Sequence, residues 1–291
     1  MNKFLILTSL LMISLVSVAS AQTVSTTQLS QHSFTKWKEN FKVSYFGELL
    51  GSNLEKWDDN QYNDLGEKQR TPTNLYNQFG LQYKVLPTTS LLLSPRFLYQ
   101  IGDRNDLKPE EDQNSVMMED WLIGVVQEIY KSKEVTFNGR LSHRHPFSKA
   151  SRNELIDSQI EYQNSITWLA TQGITLVHQN TYRYYAYEAA RNEDRYRINF
   201  TTVLNYDFND KWKTQLFNEW DLQHRATKNG GKDVNKQDWN YFEKYKNHVA
   251  LGVGYAPTKT LTVMPFVKAL NDENWSAETT QMGLWVFGKI L

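Results

Sequence analysis

The stretch RYRINFTTVLNYDFNDKWKTQLFNEWDLQ, residues 195–223, decides the fold. Every second residue from Tyr196 reads Tyr196, Ile198, Phe200, Thr202, Leu204, Tyr206, while the other register reads Arg195, Arg197, Asn199, Thr201, Val203, Asn205. Side chains alternate across a strand, so this is a ribbon with one apolar face and one charged face. Residues 211–223 repeat the pattern, with Trp212, Leu216, Trp220 and Leu222 against Lys213, Gln215, Glu219 and Asp221. Residues 207–210 between them form a tight polar turn, which closes a hairpin. A soluble sandwich and a membrane barrel both use such a hairpin, and the rest of the chain has to choose.

The chain opens MNKFLILTSLLMISLVSVASAQ, with Lys3, an apolar run over residues 4–18, and the small residues Ala19, Ser20 and Ala21. That pattern predicts a secretory signal peptide over residues 1–21, cleaved before Gln22. The run is short of the ~20 residues that a spanning helix needs, and no later segment is long and apolar enough to span as a helix. The remaining chain, about 270 residues, fits one large domain or two small ones. Cysteine is absent, which excludes a disulfide framework, a thiolate metal site and a cysteine nucleophile. Lysine plus arginine and aspartate plus glutamate both number 32, and this zero net charge argues against a nucleic-acid partner. Few prolines and many aromatics fit strands and argue against disorder.

From Asn40 onward the two-residue alternation recurs about twelve times, over residues 40–51, 75–85, 90–101, 120–130, 134–144, 155–168, 173–187, 195–206, 211–223, 246–256, 261–270 and 279–291. The connections between them are alternately short and long. Residues 86–89, 131–133, 169–172, 209–210 and 257–260 make tight turns, whereas 52–74, 102–119, 145–154, 188–194, 225–245 and 271–278 are mostly longer and rich in charge. A soluble Greek-key sandwich has no reason to sort its loops this way. A transmembrane barrel does, with short periplasmic turns and longer extracellular loops. Strands of about 9–11 residues cross a bilayer when tilted, and closure removes the edges that lipid cannot satisfy. Tyr83, Tyr130, Trp168, Tyr206, Trp212 and Tyr255 fall near the short turns, and Tyr99, Tyr182, Tyr184, Tyr196 and Trp220 near the opposite strand ends. Two such belts mark two membrane interfaces.

The fold class expected is therefore all-β, a transmembrane antiparallel up-and-down β-barrel of about twelve strands over residues 40–291, preceded by a periplasmic N-terminal segment, residues 22–39. On these features the chain resembles a Gram-negative outer-membrane β-barrel, of the size of the twelve-stranded porin-like families. The end of the chain, QMGLWVFGKIL, carries Gly283, Trp285 and Phe287 as a barrel-terminal strand does, but its final residue is Leu291 rather than an aromatic. The resemblance implies export to the outer membrane, contact with outer-membrane lipid and passive diffusion of small polar or charged solutes. No residue-level role comes with it.

The inward register of the middle strands presents Arg140 and Arg144, then Asp157 and Glu161, then Arg183, Arg195 and Arg197, then Glu219 and Asp221. Signs alternate from strand to strand, so neighbouring strands neutralise one another. Two readings stay open: a water-filled lumen that filters small solutes electrostatically, and a self-satisfied ladder that plugs a narrow barrel. The first makes these nine residues pore-lining. The second leaves an oligomeric structural or surface-interaction protein without an open pore.

Several strands are apolar on both faces, over residues 91–93, 121–126, 249–255, 261–267 and 284–287. Leu98, Leu122, Val126, Phe266, Trp285 and Phe287 are the side chains a watery lumen does not explain. They pack inside, on a plug or on residues 22–39, or they meet lipid or a second subunit on both sides. A homo-oligomer of that kind resembles the porin-like proteins of predatory bacteria, which ring a patch of lipid. No catalytic residue, cofactor or metal site is expected. None of the six histidines has a serine two residues later, the pattern of the outer-membrane phospholipase barrel. His143 and His145 share a face without an evident third ligand.

Overall fold

A computed structural model describes residues 40–53, 61–62, 68–69, 73–101, 115–148, 151–152, 155–171, 173–187, 195–224, 242–270 and 280–290. The signal-peptide and N-terminal-segment expectations fall outside these residues. Apart from one short ribbon (Gln61–Tyr62 with Lys68–Gln69), the strands form one sheet of fourteen hydrogen-bonded segments. Two pairs of segments continue each other across a break, which leaves twelve staves. They are β1 (Phe41–Asn53), β2 (Thr73–Leu86), β3 (Thr89–Ser94 and Arg96–Ile101), β4 (Ser115–Met118 and Trp121–Lys131), β5 (Val135–His145) and β6 (Ile156–Thr171). β7 (Ile174–Tyr187), β8 (Tyr196–Asp207), β9 (Trp212–His224), β10 (Phe242–Thr258), β11 (Leu261–Leu270) and β12 (Gln281–Lys289) complete the set. Each stave pairs antiparallel with its sequence neighbour, and β1 pairs with β12, so the barrel closes and has no free edge.

The breaks have causes. Pro95 divides β3 because proline gives the ladder no N–H. Residues 119–120 divide β4, whose first segment, Ser115–Met118, pairs with Phe97–Gln100 where the sequence pattern suggested only loop. The short turns use local polar chemistry. Asn209 Oδ1 accepts the N–H groups of Lys211 and Trp212 at 2.9 Å each, and Ser132 Oγ accepts those of Glu134 and Val135. Gly173 takes φ +86° at the β6–β7 turn, where an added Cβ would stand 2.9 Å from the Asp207 carbonyl.

The outer face is apolar. Ile123, Val125, Leu141, Tyr162, Ile166, Trp168, Leu204, Leu216, Leu251 and Val253 are all exposed by two fifths or more. A belt of this size needs a non-aqueous surround. At the short-turn end it carries Trp168, Tyr206, Trp212 and Tyr255, and at the other end Tyr162, Tyr182, Tyr184 and Trp220. The twelve-stave barrel predicted from alternation is the fold observed.

Candidate functional site

The inward register of β2, β3 and β5–β9 encloses a cavity of about 380 Å³. Its lining is wholly polar: Gln78, Arg96, Arg140, Arg144, Glu161, Gln163, Gln179, Thr181, Arg183, Arg197, Asn199, Thr201, Glu219 and Asp221. Five guanidiniums face three carboxylates, a surplus of positive charge. Strand register creates this assembly. Glu161 sits opposite Arg183 on β7 and beside Ser142 on β5, so Arg140 and Arg144 reach it from either side.

Glu161 is nearly inaccessible to solvent and is the hub of the wall. Arg144 Nη2 donates to Oε2 at 2.9 Å, Arg183 donates through Nε at 3.0 Å and Nη2 at 2.8 Å, and Arg140 holds Oε1. Arg183 Nη1 also donates to the Tyr185 hydroxyl at 3.2 Å. One carboxylate thus answers three cations. Planar guanidinium forks fix all of them without filling the space between. A second hub is Asp221, also buried, which takes both Nε and Nη2 of Arg197. Glu219 accepts from Asn199 and lies 3.1 Å from His248 Nε2. The Nε groups of Arg96, Arg140 and Arg144 are buried with no protein acceptor among the described residues, so donor capacity exceeds acceptor capacity along this wall.

Seven of the nine predicted lining residues meet in this cavity: Arg140, Arg144, Glu161, Arg183, Arg197, Glu219 and Asp221. Asp157 does not. A register shift between Ile156 and Ser158 inserts one extra residue, so Asp157 stands exposed while Gln159 and Glu161 keep the inward side. The strand enters this bulge from Leu155 at φ 55°. Arg195 precedes β8 and lies off the cavity lining; its carbonyl accepts the Tyr185 N–H at 2.9 Å. Arg96 was missed, although its signal was present: it follows Ser94 and precedes Leu98 on the register opposite Leu93, Phe97 and Tyr99.

The rest of the inner wall has another chemistry. Ala250, Met264, Phe266 and Trp285 form a buried cluster, with Phe46, Leu50, Phe217 and Phe287 packed on it. Phe266 and Trp285 stack with centroids 4.0 Å apart and planes at 17°. Gly283 makes that approach possible, since a Cβ there would collide with the Phe266 ring. Trp285 Nε1 donates to Glu48 Oε1 at 3.0 Å, which satisfies its only polar atom. These side chains of two-sided apolar strands therefore pack on one another inside the barrel, and the buried Leu122 likewise points inward from β4. Of the two readings left open for Phe266 and Trp285, packing inside the barrel is the one observed, against each other and their neighbours.

At the long-loop end, the buried Asp120 carboxylate accepts from Ser148 N and Gln159 Nε2 at 2.8 Å each and from Ser151 Oγ. These bonds pin the connection after β5 back onto β4 and β6. His143 and His145 share a face of β5 with ring centroids 6.1 Å apart, and among the described residues no group of three or more candidate metal ligands converges.

No protein-family model matches the chain, and no curated protein matches its sequence. Solved structures do match. An outer membrane channel from Pseudomonas putida F1 aligns over 86% of this chain and 94% of its own at 9% identity, with a TM-score of 0.50. The NanC porin aligns over 86% of this chain and 100% of its own at 8% identity, with a TM-score of 0.48. The shared property is the fold, a closed antiparallel β-barrel.

Proposed function

We propose that the protein is an outer-membrane, porin-like channel for passive diffusion of small polar or charged solutes, with a preference for anions. The observation that carries this reading is the wholly polar cavity inside a closed barrel whose outside is apolar. Buried charge is stable only with partners or water nearby, and a lumen supplies both. Glu161 and Asp221 are held by arginine and Glu219 by Asn199 and His248, while the guanidiniums outnumber the carboxylates, so the field left over for a solute is positive. The protein reaches the membrane through a cleaved signal peptide over residues 1–21, with residues 22–39 on the periplasmic side, the short turns facing the periplasm and the longer loops facing outward. Arg140, Arg144, Arg183 and Arg197 with Glu161, Glu219 and Asp221 line the aqueous path. The same cavity speaks against a pore-less structural role and calls for no catalytic step.

The test is planar-bilayer recording of the purified protein under a potassium chloride gradient. The expected result is discrete conductance steps with a reversal potential displaced toward that of chloride. A wild-type protein that stays silent at every voltage overturns the reading.

A further inference from the structure

The outer face of β6–β9 breaks its own apolar pattern at one level. Thr202 Oγ1 and His178 Nδ1 are 3.0 Å apart, His178 Nε2 and Asn180 Oδ1 are 3.0 Å apart, and Asn180 Nδ2 donates to Asn164 Oδ1 at 2.9 Å. Register extends the row across four strands, since Asn164 pairs with Asn180, His178 with Thr202, and Thr202 with Asn218. These positions share their register with the exposed Tyr162, Ile166, Leu204 and Leu216, so the row lies on the outside of the barrel and not in the lumen. It also lies between the two aromatic belts. On β6, Asn164 falls two residues from Tyr162 and four from Trp168, which at about 3.3 Å per residue puts it inside the apolar band, about a third of the way from one belt to the other.

Hydrocarbon offers such groups nothing. A primary amide carries two N–H donors and a carbonyl with two lone pairs, and the bonds along the row use only part of that capacity. Within a membrane, Asn, His and Thr side chains act as glue between protein surfaces. The row is rich in both donors and acceptors and carries no carboxylate, ammonium or guanidinium. A charged partner surface would leave its own charge in lipid, and an apolar one would leave the amides unanswered. An amide row, in contrast, answers another amide row, and a two-fold axis beside it pairs the row with itself. We infer that the outward face of β6–β9 is a contact between two copies of this chain in the plane of the membrane, with the Asn164–Asn180–His178–Thr202 row at its centre.

The absence of cysteine makes this testable without background. Ile166→Cys and Leu204→Cys flank the row without altering it, and Val253→Cys sits on the outward face of β10 as a control. Oxidation in isolated membranes should give a covalent dimer of twice the chain mass at positions 166 and 204, at least tenfold more than at 253. Native mass spectrometry of Asn164→Leu/Asn180→Leu should show a tenfold loss of dimer with an unchanged strand signal by circular dichroism. Equal cross-linking at all three positions, or none, overturns the inference. A cross-linked product of another mass overturns the choice of a second copy. A leucine variant with an unchanged dimer fraction removes the amide row from the contact. Conductance per barrel does not enter any arm, so this test and that of the channel fail independently.

Discussion

Two walls face each other across the lumen, and they solve the same problem by opposite means. On β5–β9 the inward side chains are arginines hung on Glu161 and Asp221, stiff forks that brace a space without occupying it. On β10–β12 and β1 they are Ala250, Met264, Phe266, Trp285 and Phe46, which fill the space outright. A barrel of twelve staves is too wide to pack solid with ordinary side chains and too narrow to leave every wall wet. Dividing the interior leaves one side packed and the other with a polar cavity. The outer face follows neither rule: it is apolar except for the polar row on β6–β9.

The largest effect should come from emptying the apolar wall. Trp285→Ala removes a stacked, hydrogen-bonded ring and should cost about 3–5 kcal/mol in urea unfolding from lipid, with larger conductance in whatever barrel survives. Severing the polar hub is next. Glu161→Gln leaves three guanidiniums with a neutral acceptor and should cost about 3 kcal/mol, because the cost of a broken buried pair lies in the charge left behind. It should also strengthen anion preference, whereas Trp285→Ala should leave selectivity unchanged. A reversal of these two selectivity outcomes breaks the comparison.

Phe200→Arg places a cation on the outer face of β8, between Asn180 and Trp220, and should cost about 2–4 kcal/mol near the midplane. The same change at Thr201, one residue along and facing the lumen, should cost far less, and the pair read together in unfolding titrations sharpens the face assignment. The smallest effect is electrostatic. Arg183→Glu with Arg197→Glu should move the reversal potential toward that of the cation, and the shift should shrink at 1 M salt, where the Debye length is about 3 Å.

How much of this was legible before the structure depends on what alternation encodes. It encodes face, and so it located every stave, the outer belt and most of the cavity lining. It does not encode an inserted residue. One bulge at residue 157 turned Asp157 away from Glu161 with no change in residue type to announce it. Nor does alternation say what an inward apolar residue touches. Phe266 and Trp285 suggested a plug or a neighbouring subunit because their partners lie on other strands, and only closure of β12 onto β1 brings Glu48 to the indole. Arg96 shares the inward register of β3 with Leu92, Ser94 and Leu98, where a single charge among apolar and small neighbours did not announce a wall.

The central claim is that one lumen holds a wet wall and a dry wall. Single cysteines test it most directly, since the chain has none of its own. Thr201→Cys lies on the cavity and Met264→Cys lies within the apolar cluster. Treated with a charged, membrane-impermeant methanethiosulfonate in lipid vesicles, Thr201→Cys should be modified rapidly with loss of conductance, and Met264→Cys should stay unmodified. Equal modification at the two positions would contradict the account.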